Sequence, residues 1–173
     1  MGSKELRKFD IMFVQLTNGE HSYDFEIDPA FFNLFEESIV DKGVGEAHIT
    51  LKKTDRMLQL FFEIRVQVEL ICDLSLKKFQ HTIESSRRLI VKFGEEDQEL
   101  EDDIIIIKDD AISMNVAEYL YEFISLEIPM KRVHPSLNNE DRPDLAYSTP
   151  IDEDDPEGES IDPRWEALKK LKE

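Results

Sequence analysis

Residues 57–73 read MLQLFFEIRVQVELICD, and the fold follows from that stretch. Leu58, Leu60, Phe62, Ile64, Val66, Val68, Leu70 and Cys72 fill the even positions with apolar side chains. Gln59, Glu63, Arg65, Gln67, Glu69 and Asp73 make the odd positions polar, with Met57, Phe61 and Ile71 as exceptions. Successive side chains of a strand point to opposite faces, so this is a strand with one apolar face and one mostly wet face. Eight apolar residues in phase is long for a strand. Such a strand requires sheet neighbours and a layer over its apolar face.

The flanking segments supply both. Phe9 to Leu16 is apolar at nearly every position and predicts a short buried strand. After a turn at Thr17–Glu20, Tyr23, Phe25 and Ile27 alternate with polar residues and predict a second strand, paired with the first as a hairpin. Asp28-Pro29 is a helix start, because Asp accepts from free amides and Pro suits the first helical position. Phe31, Phe35 and Ile39 then predict an amphipathic helix with an aromatic stripe. Gly43 and Gly45 reset the chain before a third strand through Ala47, Ile49 and Leu51.

Beyond Cys72 the phase flips, and Phe79, Ile83, Leu89, Val91 and Phe93 share odd positions of a returning strand. His81, Ser85 and Arg87 sit on the same parity, which implies either a bulge or an inner face open at one end. The acidic run 95–103 predicts a mobile loop, and Ile104 to Ile107 a further strand. Asn115 and Glu118 stand in a capping-box arrangement before a helix carrying Val116, Leu120, Phe123 and Ile124, closed by Pro129. The fold class expected is therefore α+β: a largely antiparallel, curved sheet with two helices in residues 1–134. Residues 135–162 read as a flexible, acidic, Pro-rich linker too poor in large apolar side chains to fold alone. Residues 163–173 read as a short C-terminal helix, with Trp165, Leu168 and Leu171 on one stripe and Arg164 among the cations around it.

The chain has 173 residues, enough for one domain and an appendage. Its net charge of −18 is concentrated: residues 95–110 carry −8 and residues 135–163 carry −9, leaving −1 for the remainder. Phosphate backbones are bound by clustered Lys and Arg, so broad nucleic-acid coverage is disfavoured and basic partners are favoured. Plain solubility is the simpler reading of the same charge. Lys77, Lys78, Arg87, Arg88 and Lys92 form a local basic patch that could touch RNA. No apolar run long enough for a membrane span and no leader pattern is present, and the single Cys cannot form an intrachain disulfide. A cytoplasmic location is the expectation. No Gly-rich phosphate loop, nucleophile elbow or metal helix occurs, and His21, His48, His81 and His134 are scattered. An enzyme built on His81 and nearby carboxylates finds little support, and no small-molecule substrate or cofactor is expected.

Three stretches resemble the YceD family, the large ribosomal RNA subunit accumulation proteins of bacteria and plastids. They are the long strand ending in Cys72-Asp73-Leu74-Ser75-Leu76, the run Tyr121 to Pro129, and the closing segment Ile161-Asp162-Pro163-Arg164-Trp165-Glu166-Ala167-Leu168-Lys169-Lys170-Leu171. The resemblance implies a non-catalytic factor that supports accumulation of large-subunit ribosomal RNA. Its expected partners are basic ribosomal proteins or assembly factors, with the basic patch as a local RNA contact. The alternative is a generic acidic adaptor unrelated to ribosomes. Family members commonly hold Cys-x-x-Cys after the long strand and further Cys after the helix, which would make a structural zinc site. Here Ser75 replaces the second Cys, and Met130 to His134 contains none. The resemblance therefore implies a variant without zinc, in which Cys72 is a small buried hydrophobe.

The closing segment is the interaction element to test. Isolated helices below about 12–15 residues are marginal, so residues 163–173 need a partner surface to order against. If that surface belongs to another protein, Trp165→Ala costs about 2 kcal/mol or more of affinity and leaves the melting of residues 1–134 unchanged. A melting temperature that falls on truncation after His134, with association indifferent to Trp165→Ala, establishes instead that the helix folds back on its own domain.

Overall fold

The long alternating stretch forms β4 (Met57–Ile71), buried at each even position and open at most odd ones. A computed structural model describes residues 5–36, 38–101 and 103–137. The chain divides into two units, Met1–Asn138 and Asn139–Glu173. The described residues belong to the first unit, and the expected linker and C-terminal helix lie outside them. In chain order the strands are β1 (Asp10–Ile11), β2 (Gly19–Ile27), β3 (Gly43–Lys53), β4, β5 (Lys78–Gly94), β6 (Gln98–Glu101), β7 (Ile104–Lys108) and β8 (Met114–Asn115). The helices are α1 (Pro29–Phe32) and α2 (Ala117–Leu126). Six strands form one open sheet in the order β2-β3-β4-β5-β7-β6, antiparallel except for the parallel pair β5–β7. The fold class is α+β.

β4 is paired on both sides, with β3 from Lys53↔Leu58 to Gly43↔Val68 and with β5 from Met57↔Lys92 to Ile71↔Lys78. Its even side chains join Ala47, Ile49 and Leu51 of β3 and Ile83, Leu89 and Val91 of β5 in the core. α2 covers this face through Leu120, Phe123 and Ile124, and Phe123 meets Phe62 edge-on at 5.1 Å. Gly43 and Gly45 lie inside β3 rather than before it. A Cβ at Gly45 would run into the backbone of Arg65 and Val66, and one at Gly43 into the Phe32 ring. Close approach of neighbouring chain accounts for both glycines.

Four expectations need correction. Phe9 to Leu16 is not a strand of the sheet. It is two 3-10 turns, Arg7–Phe9 and Phe13–Gln15, flanking the two-residue β1. β1 pairs with β8 rather than β2. Phe9, Ile11 and Phe13 are buried in the core while Met12 and Val14 between and after them are exposed, so the segment is held by its apolar side chains rather than by a ladder of its own. α1 keeps its start, with the Asp28 carboxylate accepting from Phe31 N–H at 2.9 Å, but lasts one turn. Phe35 stacks on Tyr121 at 4.2 Å while Ile39 is 48% exposed, so the aromatic stripe does not continue.

The acidic run expected as a loop contains β6, which pairs with β7. Ile104–Lys108 leaves one edge for a neighbour, and charged side chains are tolerated on an outermost strand because they project into water. The polar residues on the inner parity of β5 do not mark a bulge, and Arg87 is exposed on that parity, as an inner face open to solvent implies. The β4–β5 register is continuous, and the Glu127 carboxylate at the end of α2 accepts from Ser85 Oγ at 3.1 Å and from Arg87 at 2.7 Å. Asn115 does serve the start of α2, accepting from Ala117 N–H at 3.0 Å. Its amide nitrogen donates to Leu6 C=O and to Asp10, tying the N-terminal segment to the helix.

The face assignment has a direct test. Val66 is 1% exposed and Gln67 lies on the open face. Val66→Asp strands a carboxylate among Ile64, Val68 and Ile83, and costs about 3 kcal/mol or more. Gln67→Asp stays within about 0.5 kcal/mol of the parent chain. Thermal melts that coincide for the two variants refute the assignment.

Candidate functional site

The odd residues of β4 and their neighbours form the wet face of the sheet. Register places Asp24, His48, Glu63 and Ser86 in one cross-strand row, and Glu26, Glu46, Arg65 and Glu84 in the next. Five carboxylates thus share two adjacent rows with one Arg and one His. His48 Nδ1 and Asp24 Oδ1 are 2.6 Å apart, and Arg65 pairs with Glu84 at 3.2 Å. Glu26, Glu46 and Glu63 enter no ion pair among the described residues. Glu26 faces Glu46 directly across the β2–β3 ladder, where like charges destabilise a sheet. Two shallow grooves of about 350 and 870 Å³ run over these rows and share Asp24, Glu46 and Arg65. The arrangement is an open, negatively charged trough across four strands.

The residues singled out from sequence are dispersed. Lys77 precedes β5 and Lys78 opens it, with Arg87 and Arg88 ten residues further on, about 30 Å along an extended strand. Arg87 and Arg88 also point to opposite faces. Lys78 pairs with Glu69 at 2.8 Å, Arg87 with Glu127 at 2.7 Å, and Arg88 with Asp103 at 3.3 Å. Lys92 lies near the far end of the strand. The structure does not gather these cations into one patch. Arg164, Trp165, Leu168 and Leu171 fall outside the described residues.

Sequence reasoning missed the carboxylate rows. The alternation that defined the core also marks the wet positions, but which of them are neighbours depends on register between strands. His48 and Glu63 are fifteen positions apart in sequence and adjacent in the sheet.

The turn after β4 is the second place with unusual chemistry. Cys72 is fully buried. Its N–H donates to Lys77 C=O, and Leu76 N–H returns to Cys72 C=O, each at 2.9 Å. Leu76 closes the turn with φ +54° while 77% exposed, a left-handed conformation that Leu rarely adopts. Residues 132–134 run alongside. Asp73 N–H donates to Arg132 C=O at 2.8 Å, Arg132 N–H donates to the Asp73 carboxylate at 2.7 Å, and His134 N–H donates to Cys72 Sγ at 3.3 Å.

These residues do not fit a zinc ion. One thiol, a hydroxyl at Ser75, and a His134 ring engaged with Ser136 through Nδ1 are not a tetrahedral donor set. Groups of three or more His, Cys, Asp or Glu suited to a metal are absent among the described residues. The two segments that would share a metal are joined instead by main-chain amides donating to Arg132 C=O, the Asp73 carboxylate and Cys72 Sγ.

The same turn lowers the Cys72 pKa from 9.0 to about 7. The Ser75 hydroxyl is the largest influence, followed by the opposing effect of burial, then by the amides of His134, Ser75 and Leu74. Ser75 Oγ is shut off from solvent without a hydrogen bond of regular geometry, so its approach to the sulfur is loose. A folded-state pKa below the unfolded one means that the thiolate favours the folded chain. That contribution is complete above about pH 9 and is lost as pH falls through about 7. The melting-temperature advantage of the native chain over Cys72→Ala should therefore shrink from pH 9 toward pH 6, and an advantage independent of pH discards the thiolate.

No helix among the described residues is long and apolar enough to cross a membrane. No curated protein sequence matches the chain, and no solved structure does. A family model described as "Large ribosomal RNA subunit accumulation protein YceD" matches residues 60–172, from near the start of β4 almost to the last residue. That span includes the Cys72 turn, α2 and the closing segment on which the sequence resemblance rests, and it covers about two-thirds of the 173 residues; the chain belongs to the YceD family.

Proposed function

We propose that this chain is a non-catalytic cytoplasmic factor that supports accumulation of large-subunit ribosomal RNA by holding a basic protein, either a ribosomal protein or an assembly partner. The family name supplies the process. The observation that carries the partner class is the trough of Asp24, Glu26, Glu46, Glu63 and Glu84 on the wet face. Ribosomal RNA is a polyanion, and this face repels it. A basic protein on its way to RNA gains from a surface of the opposite sign that steers association and keeps its cations from unselective contacts. Like charges facing each other across a ladder destabilise it, so Glu26 opposite Glu46 has no evident value for stability. The cations of β5 lie too far apart for more than isolated RNA contacts.

The test joins sedimentation with charge reversal. The chain should migrate with precursor large subunits in cell extract, and immobilised chain should retain basic ribosomal proteins. Glu46→Lys/Glu63→Lys should weaken that retention on the order of tenfold. Both positions are exposed, so melting should change little. Retention of basic proteins without migration among ribosomal precursors would favour the adaptor unrelated to ribosomes. Undiminished retention by the charge-reversed variant would remove the trough from the mechanism.

A further inference from the structure

The six-stranded sheet has two edges of different character. The β6 edge is four residues long and carries a register shift between Glu99 and Glu101. Shortness and irregularity of that kind discourage an added strand. The β2 edge is nine residues long, pairs with β3 without a shift, and contains no Pro.

Hydrogen-bond parity shows what this edge offers. Glu69 N–H donates to Lys42 C=O at 2.9 Å and Thr54 N–H to Met57 C=O at 3.0 Å, one at each end of the β3–β4 ladder. Bonded and non-bonded pairs alternate in an antiparallel ladder, so the even residues of β3 bond to β4 and its odd residues bond to β2. Through the register Gly19↔Lys53 to Ile27↔Gly45, the odd residues of β2 complete that second ladder. The N–H and C=O of Glu20, Ser22, Asp24 and Glu26 therefore point away from the sheet. No main-chain group among the described residues bonds to them.

The side chains of the same four residues project onto the wet face, three of them carboxylates. On the opposite face of β2, Tyr23 and Phe25 are half-buried and stacked at 6.4 Å, with their outer flanks uncovered by a further strand. A seventh strand is thus specified on both faces: cationic beside Glu20, Asp24 and Glu26, apolar beside Tyr23 and Phe25.

We propose that the β2 edge takes an extended segment of a basic protein, in which Lys or Arg alternates with apolar residues, as an added strand of the sheet. The proposal rests on the basic-partner reading above and deepens it by naming the segment's conformation and the edge that receives it. Main-chain bonds to four alternate residues supply affinity, and the alternating side chains supply selectivity. A second copy of this chain is a poor occupant, because self-pairing sets the carboxylate row against itself. β2 lies outside the span that the family model matches, which begins at residue 60.

The test uses the full chain and a labelled heptapeptide in which Lys and Val alternate, beside the same peptide N-methylated throughout. N-methylation keeps charge and removes main-chain donors. The native chain should bind the plain peptide at least tenfold more tightly than the methylated one. Ser22→Pro deletes one outward N–H and spares the β3 ladder, a position at which an edge strand accepts Pro. It should lose at least tenfold in binding to the plain peptide alone. If Ser22→Pro fails to fold, amide exchange on the native chain decides: the Ser22 and Asp24 amides should exchange fast when free and slow at least tenfold with peptide.

Equal binding of both peptides, lost in Glu46→Lys/Glu63→Lys, overturns the added strand and leaves the charge-based reading standing. Failure of both peptides to bind overturns it too, and retention of basic ribosomal proteins then judges the charge-based reading separately. Protection of the Asp24 amide in the free monomer would mean that the chain already covers its own edge. A dimer that Ser22→Pro dissolves would put a second copy there. Either result overturns the proposal.

Discussion

The two-sided pairing of β4 is the constraint on which the rest depends. A strand bonded along both edges has no freedom of register, and a slip by one residue would move its whole apolar set into water. With that set held on one face, β3 and β5 must match it in phase, and α2 and the N-terminal segment must cover it. The wet face is then determined as well. The positions that carry Glu63 and Arg65 follow from the positions that bury Phe62, Ile64 and Val66.

Much of this was legible because alternation is a local signal. Leu58 to Cys72 needed no knowledge of neighbours to be read as a half-buried strand, and Asp28-Pro29 needed none to be read as a helix start. What could not be read was whatever depends on a distant partner. Phe9, Ile11 and Phe13 alternate as a strand would, yet their bonding partner is Met114–Asn115, about a hundred residues away. The acidic residues of β6 have no strand-like composition; their conformation comes from the edge that β7 presents. Ser85 and Arg87 broke the pattern of β5 because their partner, Glu127, is forty positions downstream.

The candidate site was less legible than the core for the same reason. A charge run in sequence, such as residues 95–103, is visible as a run. The trough is assembled from single acids on β2, β3, β4 and β5, each unremarkable in its own strand. The basic residues of β5 failed in the opposite direction, since nearness in composition is not nearness in space when the strand between them is extended. At the Cys72 turn, the change from Cys to Ser at position 75 was readable as the loss of a metal ligand. The replacement of that link by the mutual hydrogen bonds of Asp73 and Arg132 was not.

The order of strands in the sheet has a consequence for how the chain reaches its folded state. Four of the five neighbouring pairs in the order β2-β3-β4-β5-β7-β6 join strands consecutive in sequence. Closing such short loops sacrifices little chain entropy, and contacts of this kind favour rapid folding. The pair β1–β8 is the exception, since it closes a loop of about a hundred residues for a ladder two residues long. Hydrogen bonds that few cannot offset that closure on an unstructured chain. β1 and β8 therefore meet only when the completed sheet has already brought their ends together, which makes the N-terminal segment the last part of this unit to settle and the first to be released.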